Sequence, residues 1–261
     1  MKPKEKKEHK NAKLTAYVVL RFLVIICMVG QIFRQNWGNV FYCVLTLILF
    51  MIPVIIDKKF KIKLPNALEI IILLFIFSAE ILGEIQNFYG IFHHWDTMLH
   101  TLNGFLCAAI GFSLIDILNR NEKFHIKLSP VFVALVAFCF SMTVGVMWEF
   151  FEYSMDTFAK MDTQKDTIVT QISSVALNPE KKNKEIVINN IDHTTIYYTE
   201  QGEPKEYTIE GGYLDIGLND TMKDLLVNFV GAVVFSIIGL LYIKNRDDYR
   251  FAENFIPVMK E

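Results

Sequence analysis

The sequence predicts an all-α polytopic membrane protein: a six-transmembrane-helix bundle with a small extracytoplasmic β-rich insert between helices 5 and 6. Three observations predict it. Six apolar runs are long enough to cross a bilayer, which takes roughly 17–25 mostly apolar residues as helix. The segments between them alternate between lysine-rich and aromatic-rich. One long stretch breaks the apolar pattern and reads as short strands with turn residues between. The 261 residues are 52% hydrophobic and include 22 Phe, more apolar length than a soluble core of that size uses.

The elements follow in order. Residues 1–13, MKPKEKKEHKNAK, form a basic tail. The first run, Leu14–Phe33, is interrupted by Arg21. It is longer than the apolar part of a signal peptide and no small-x-small site follows, so it reads as an uncleaved span. The second is Val40–Ile56, with Pro53 near its end. The third is Ala67–Gly83, with Glu69 near its start and Glu80 near its end. The fourth is Thr97–Leu118 and the fifth Val131–Phe151, so that residues 14–156 hold helices 1 to 5. Residues 157–219 form the insert. Its runs TIVTQISSV, EIVINNI, TTIYYT and KEYTIEG predict two to four strands in a small cap. The sixth run, Leu225–Ile243, lies within a segment 220–244, and residues 245–261 form a second tail.

Lysine and arginine set the orientation. They crowd the first tail, DKKFKIK after the second run, NRNEKFHIK after the fourth and KNRDDYR after the sixth. With six spans these share one side, which the positive-inside rule makes cytoplasmic. Trp37, Tyr89, Trp95, Trp148 and Tyr153 then fall at the outer interface, so both termini are expected inside a multi-pass cell-membrane protein.

This topology gathers polar residues at one depth. Glu80 and Glu84 close the third helix. His93, His94, Asp96, His100 and Asn103 open the fourth, and Asp96 and His100 at four-residue spacing share a face. Glu149, Glu152 and Asp156 close the fifth, and Asp220, Asp224 and Asn228 open the sixth. Crowded carboxylates in a low dielectric must be protonated or neutralised. A divalent ion such as Zn, Mn or Fe would do this, because His, Asp and Glu are its ordinary ligands. The candidate metal ligands are Asp96, His100, Glu149 and Asp224, with Glu152 as general base and Asn228 beside it.

Plainer roles compete for each residue. Asn219 or Asp220 suits a helix N-cap, Glu84 and Asp156 a solvent-exposed position, and Asp224 and Asn228 an interhelical hydrogen bond. Glu69 reads as the partner of a lysine in the loop before it, and Arg21 as a snorkelling residue, a partner for an acid or a lipid contact. The five glycines Gly104, Gly111, Gly145, Gly231 and Gly239 suit close helix approach. Cys27, Cys43, Cys107 and Cys139 lie inside apolar runs without metal or disulfide spacing. No P-loop, GxSxG, HExxH or dinucleotide fingerprint is present, and the scattered basic residues do not form a nucleic-acid surface.

The stretches SAEILGE, FYGIFHHWDTMLHTLNGF, MWEFFEYSMD and GGYLDIGLNDTMKDLLVNFVGA resemble the YjdF-like family of uncharacterised bacterial and archaeal integral membrane proteins, over about Leu64–Ile243 apart from the middle of the insert. The resemblance implies the membrane class and no reaction. More distantly the chain is similar to VanZ-like proteins. In those an Asp-x-x-x-His, an acid on the next helix and an Asp-x-x-x-Asn leading to Gly recur; here these correspond to Asp96 and His100, Glu149 or Glu152, and Asp224, Asn228 and Gly231.

Three functions fit this pattern. One is a metal-dependent enzyme acting on a lipid-linked or envelope substrate at the outer leaflet. Another is a non-catalytic envelope scaffold that binds a partner through the insert. The third is a small-solute or ion-coupled transporter, which would want polar groups continuing through the midplane.

Overall fold

The computed structural model describes residues 3–59, 62–120 and 128–259. The lysine side chains of the first tail up to Lys10, and the NRNEKFHIK loop from Asn121 to Lys127, lie outside the described residues. Every apolar run is helical, the conformation that satisfies each backbone group without water. In chain order the helices are α1 (Pro3–Phe33), α2 (Trp37–Leu49), α3 (Ile52–Lys59), α4 (Asn66–Phe77), a short α5 (Phe88–Ile91), α6 (Trp95–Arg120), α7 (Pro130–Ala159) and α8 (Leu218–Lys244).

Among the described residues five helical stretches are long and apolar enough to cross a membrane: Ala12–Phe33, Trp37–Lys59, Trp95–Asn119, Pro130–Ala159 and Leu218–Lys244. The sequence led us to expect six. The third run is helical as well, but it divides into the twelve residues of α4 and an eight-residue π-helix, Ser78–Ile85. The second run also breaks, for a reason its sequence carries. Pro53 has no N–H and its ring clashes with the carbonyl four residues earlier, which is Leu49, the last residue of α2. Helix α7 starts where its sequence dictates. Pro130 takes the first helical position, and Ser129 Oγ accepts from Phe132 N–H at 3.3 Å.

The chain folds as two compact units, Met1–Val146 with Asp224–Glu261, and Met147–Lys223. The first unit holds two packed clusters. One gathers Leu20 and Val24 of α1, Cys43 of α2, and Leu68, Leu73 and Ile76 of α4. The other is rich in small residues: Ala108 and Ala109 of α6, Ala137 of α7 and Ala232 of α8, with Phe112 and Phe235 between them. Lipid is as apolar as leucine, so close contact between backbones, rather than exclusion of water, favours this packing. Large apolar side chains face outward, as Leu14, Phe22, Val131 and Ile237 do.

Residues 245–261 are more than the tail the sequence led us to expect. After α8 a 3₁₀ turn spans Arg250–Asn254, and Ala252 and Ile256 bury themselves in the second cluster. The strand β8 (Val258–Met259) then pairs antiparallel with β1 (Ile62–Lys63), Ile62 opposite Met259.

The second unit holds six short strands, where two to four were expected. They are β2 (Thr167–Val169), β3 (Ile172–Ser174), β4 (Ile186–Ile188), β5 (His193–Glu200), β6 (Glu203–Glu210) and β7 (Tyr213–Asp215). They form three antiparallel pairs, β2 with β7, β3 with β4 and β5 with β6. The run TIVTQISSV divides between two pairs, and the YLD segment, read as a lead-in to the last helix, is the partner of β2. Gly212 makes that partnership possible: at φ 154° it approaches Val169 so closely that a Cβ would lie 2.4 Å from its carbonyl oxygen. The β5–β6 hairpin turns on Gln201 and Gly202, both at positive φ, the backbone of a two-residue hairpin loop.

A candidate polar site on helices α6 and α8

Helical spacing puts Asp96, His100 and Asn103 along one face of α6 and Asp224, Asn228 and Gly231 along one face of α8. The two faces meet because glycine lets the backbones touch. A Cβ on Gly231 would lie 1.9 Å from the Thr101 carbonyl oxygen, and one on Gly104 would lie 2.0 Å from that of Asn228. Helix α7 closes the crossing, with Ser141 Oγ donating to the Gly104 carbonyl at 2.7 Å.

Polar pairs continue from this crossing toward the N-terminal ends of α6 and α8. Asn103 Nδ2 donates to Asn228 Oδ1 at 3.0 Å. Asn228 is 1% exposed, so the pair satisfies groups that packing has removed from solvent. Asn228 Nδ2 points in turn at Met142 Sδ, 3.5 Å away. One turn further along, His100 Nε2 lies 3.4 Å from Asp96 Oδ1 and 3.5 Å from Asp224 Oδ2. Each of the three residues offers one ligand atom, and these atoms lie within 4.8 Å of one another. Asp224 is 2% exposed, and the side chains of His100 and Asp96 keep 12% and 19% of their surface.

Glu80 belongs to the same unit and is buried in the π-helix, with Glu84 half-buried one turn on. The indole of Trp95, at the start of α6, donates to the Ser78 carbonyl at 3.3 Å and so ties that π-helix to α6. π-Helical turns recur at functional sites, and this one carries the acid pair that the sequence placed at the end of the third run.

The remaining candidates belong to the second unit. Glu149 is buried on α7. Glu152, one turn on, accepts from the Trp148 indole at 2.9 Å. Asp156 accepts from the Thr163 N–H at 2.6 Å, the Thr163 hydroxyl at 2.7 Å and the Gln164 N–H at 2.8 Å. Asp220 Oδ2 accepts from the Lys165 N–H at 2.8 Å. Asp156 and Asp220 thus anchor the segment Thr163–Lys165 that follows α7. The capping role assigned to Asn219 or Asp220 passes to Asp215. Helix α8 starts two turns before the apolar run, and the Asp215 carboxylate accepts from the Asn219 N–H at 2.8 Å.

Residues 14–245 match the family described as "Predicted membrane protein (DUF2238)". The chain belongs to that family. It is a multi-pass membrane protein, and the match covers nearly all of its length. A curated relative, an uncharacterized protein of Thermotoga maritima, is 25% identical over 104 residues. That match covers 40% of this chain and about half, 52%, of the Thermotoga protein. No solved structure matches the chain significantly. Membership fixes the membrane class and carries no reaction, so the chemistry must be argued from the side chains.

Two polar pairs were not foreseen. Glu69 is buried against Lys13 of the N-terminal helix and the Tyr17 hydroxyl, at 2.8 Å, rather than a lysine of the loop before it. Asp116, at the far end of α6, pairs with Arg246 at 3.0 Å. Spacing along one helix carries no signal for partners 52 and 130 residues apart in the chain.

Proposed function

We propose that this protein binds a divalent transition metal through Asp96, His100 and Asp224 and uses it on a lipid-linked or envelope substrate at the outer leaflet of the cell membrane. One observation carries the reading: a single imidazole nitrogen lies 3.4 and 3.5 Å from oxygens of two different carboxylates. One N–H cannot donate well to both. Ligands held at about 2.1 Å around a tetrahedral ion stand roughly 3.4 Å from one another, so a shared cation meets the same spacing. The backbone contact at Gly104 and Gly231 holds the two ligand-bearing helices in place. Asn103 and Asn228 support the ligands from below in this reading. The ion would polarise a phosphoryl or acyl oxygen, or lower the pKa of a bound water.

In the finer topology both termini are cytoplasmic and the insert is extracytoplasmic, as the lysine-rich loops support. Helix α4 and the π-helix then act together as the sixth span, near the length a bilayer requires. A second reading, an envelope scaffold that recruits a partner through its insert, is favoured by the β5–β6 hairpin, whose Tyr197 and Tyr207 are exposed.

Elemental mass spectrometry on the detergent-purified protein tests the first reading. Near-stoichiometric Zn, Mn or Fe is expected in the wild type and loss of most of it in Asp96→Asn and in His100→Ala. Folded wild type that stays metal-free after resupply would overturn the metal reading and leave the scaffold ahead.

A further inference from the structure

Arg21 interrupts the first apolar run, two turns beyond Lys13. Lys13, Tyr17 and Arg21, spaced four apart, form one stripe on α1. Arg21 bends back along this stripe. Its guanidinium carbon lies 5.1 Å from the centre of the Tyr17 ring, one turn nearer the polar N-terminal end, and Nη2 lies 3.5 Å from Met51 Sδ. This is the course a long cationic side chain takes from lipid toward the interface.

The ring and the thioether are uncharged. Among the described residues Arg21 makes no ion pair, although a guanidinium carries five donors. Glu69, the buried acid nearby, faces Lys13 and the Tyr17 hydroxyl. These groups line a cavity of about 280 Å³, together with Asp57. Leu14, Val18 and Val54 supply its apolar wall, and Leu14 and Val18 are also exposed on the outward side of α1. The Arg21 guanidinium and a greasy wall therefore meet at one end of a membrane span, with the Asp57 carboxylate at the same cavity and the Tyr17 hydroxyl held by Glu69.

We propose that this groove binds the headgroup of a membrane phospholipid, its phosphate on the Arg21 guanidinium and the start of an acyl chain along Leu14, Val18 and Val54. Arginine binds phosphate oxygens through paired N–H groups, and phosphodiesters are the anions a bilayer supplies at the polar end of a span. The site is separate from the Asp96–His100–Asp224 cluster and does not depend on its metal.

Native mass spectrometry of the full-length protein in detergent reads the binding directly, with dioleoyl-phosphatidylglycerol, dioleoylglycerol and inorganic phosphate as probes. Discrete one-to-one binding of the phospholipid is expected. Arg21→Ala should weaken it roughly tenfold, the loss of one charge-assisted contact, and dioleoylglycerol should bind at least as weakly. Val54→Trp keeps every charge, fills the groove and should also lower occupancy in protein that elutes and melts as wild type. Equal occupancy in wild type and Val54→Trp, or in wild type and folded Arg21→Ala, would overturn the proposal. Dioleoylglycerol binding as tightly as the phospholipid would show an apolar contact without phosphate recognition. Inorganic phosphate displacing the phospholipid at millimolar concentration would show a site for a soluble anion.

Discussion

The two ends of α6 solve the same problem differently. Each end meets a buried acid, Asp224 of α8 beside the half-buried Asp96 at one end and Asp116 at the other, about 30 Å away along the axis. Asp116 faces Arg246, whose charge is permanent at any working pH. Glu69 on α4 is held in the same manner by Lys13. Asp96 and Asp224 face a histidine, which serves equally as a neutral ligand and as a cation. A fixed counter-charge completes a structural pair. A histidine between two carboxylates leaves room for an ion to take part. The difference teaches that burial of an acid alone marks no site, and that the proposed metal site turns on the kind of partner.

The largest expected effect breaks one end only. Gly231→Ala places a methyl 1.9 Å from a backbone oxygen, and a backbone cannot yield as a side chain does. Prying α8 from α6 should cost about 3 kcal/mol or more, at the upper end of overpacking penalties. A detergent thermal melt would show it, and Asp96, His100 and Asp224 should lose their register with it. Wild-type melting and metal content in Gly231→Ala would mean that the backbones do not touch.

The comparison is sharpened by removing one partner at each end. Arg246→Ala deprives the buried Asp116 of its cation. About 2–3 kcal/mol should be lost, below the usual range for a broken buried pair because Arg246 keeps 37% of its side-chain surface. The loss should be the same with and without a chelator. His100→Ala should destabilise chiefly relative to metal-loaded wild type, because an ion that binds only the folded state stabilises by mass action. Chelator dependence at both ends, or at neither, would erase the distinction.

The smallest effect concerns an acid with no counter-charge to dominate it. Asp166, exposed in the second unit, has its carboxyl pushed up by partial desolvation and by Asp162, Asp156 and Asp215, against the opposing charge of Lys165. An acid whose pKa is raised on folding stabilises below its unfolded value and loses that contribution as pH rises through the folded one. Amide exchange in β2 and β7 should therefore quicken slightly as pH rises through the carboxylate range, after correction for intrinsic rates. Asp166→Asn should flatten the trend, and an unchanged slope would exclude Asp166 as its source.

The helices were legible in the sequence because lipid leaves the backbone one economical choice, and apolar length reports it directly. The Asp96–His100 and Asp224–Asn228 stripes were legible for the same reason: periodicity survives in any helix. Their meeting was less so, since it rests on Gly104 and Gly231, whose role depends on which helices cross. The π-helix at Ser78–Ile85 was hidden, because a wider helical turn leaves no mark in residue type and SAEILGEI reads equally as the end of an α-helix. The ends of α7 and α8 were hidden by their polar sequence, which marks the limit of the apolar run and not of the helix. Asp156 and Asp220 shared the acidic character of the ligand candidates, and only their bonds to Thr163, Gln164 and Lys165 reveal anchors.

The pairing of β8 with β1 has a consequence for how the protein is made. Ile62 and Lys63 leave the ribosome long before their strand partners, Val258 and Met259, which come only after α8. The β1 edge therefore stays open until the segment after α8 has been made. A message truncated after α8 would yield a protein with helices α1 to α8 and an unlatched edge, a difference that a quality-control protease could read.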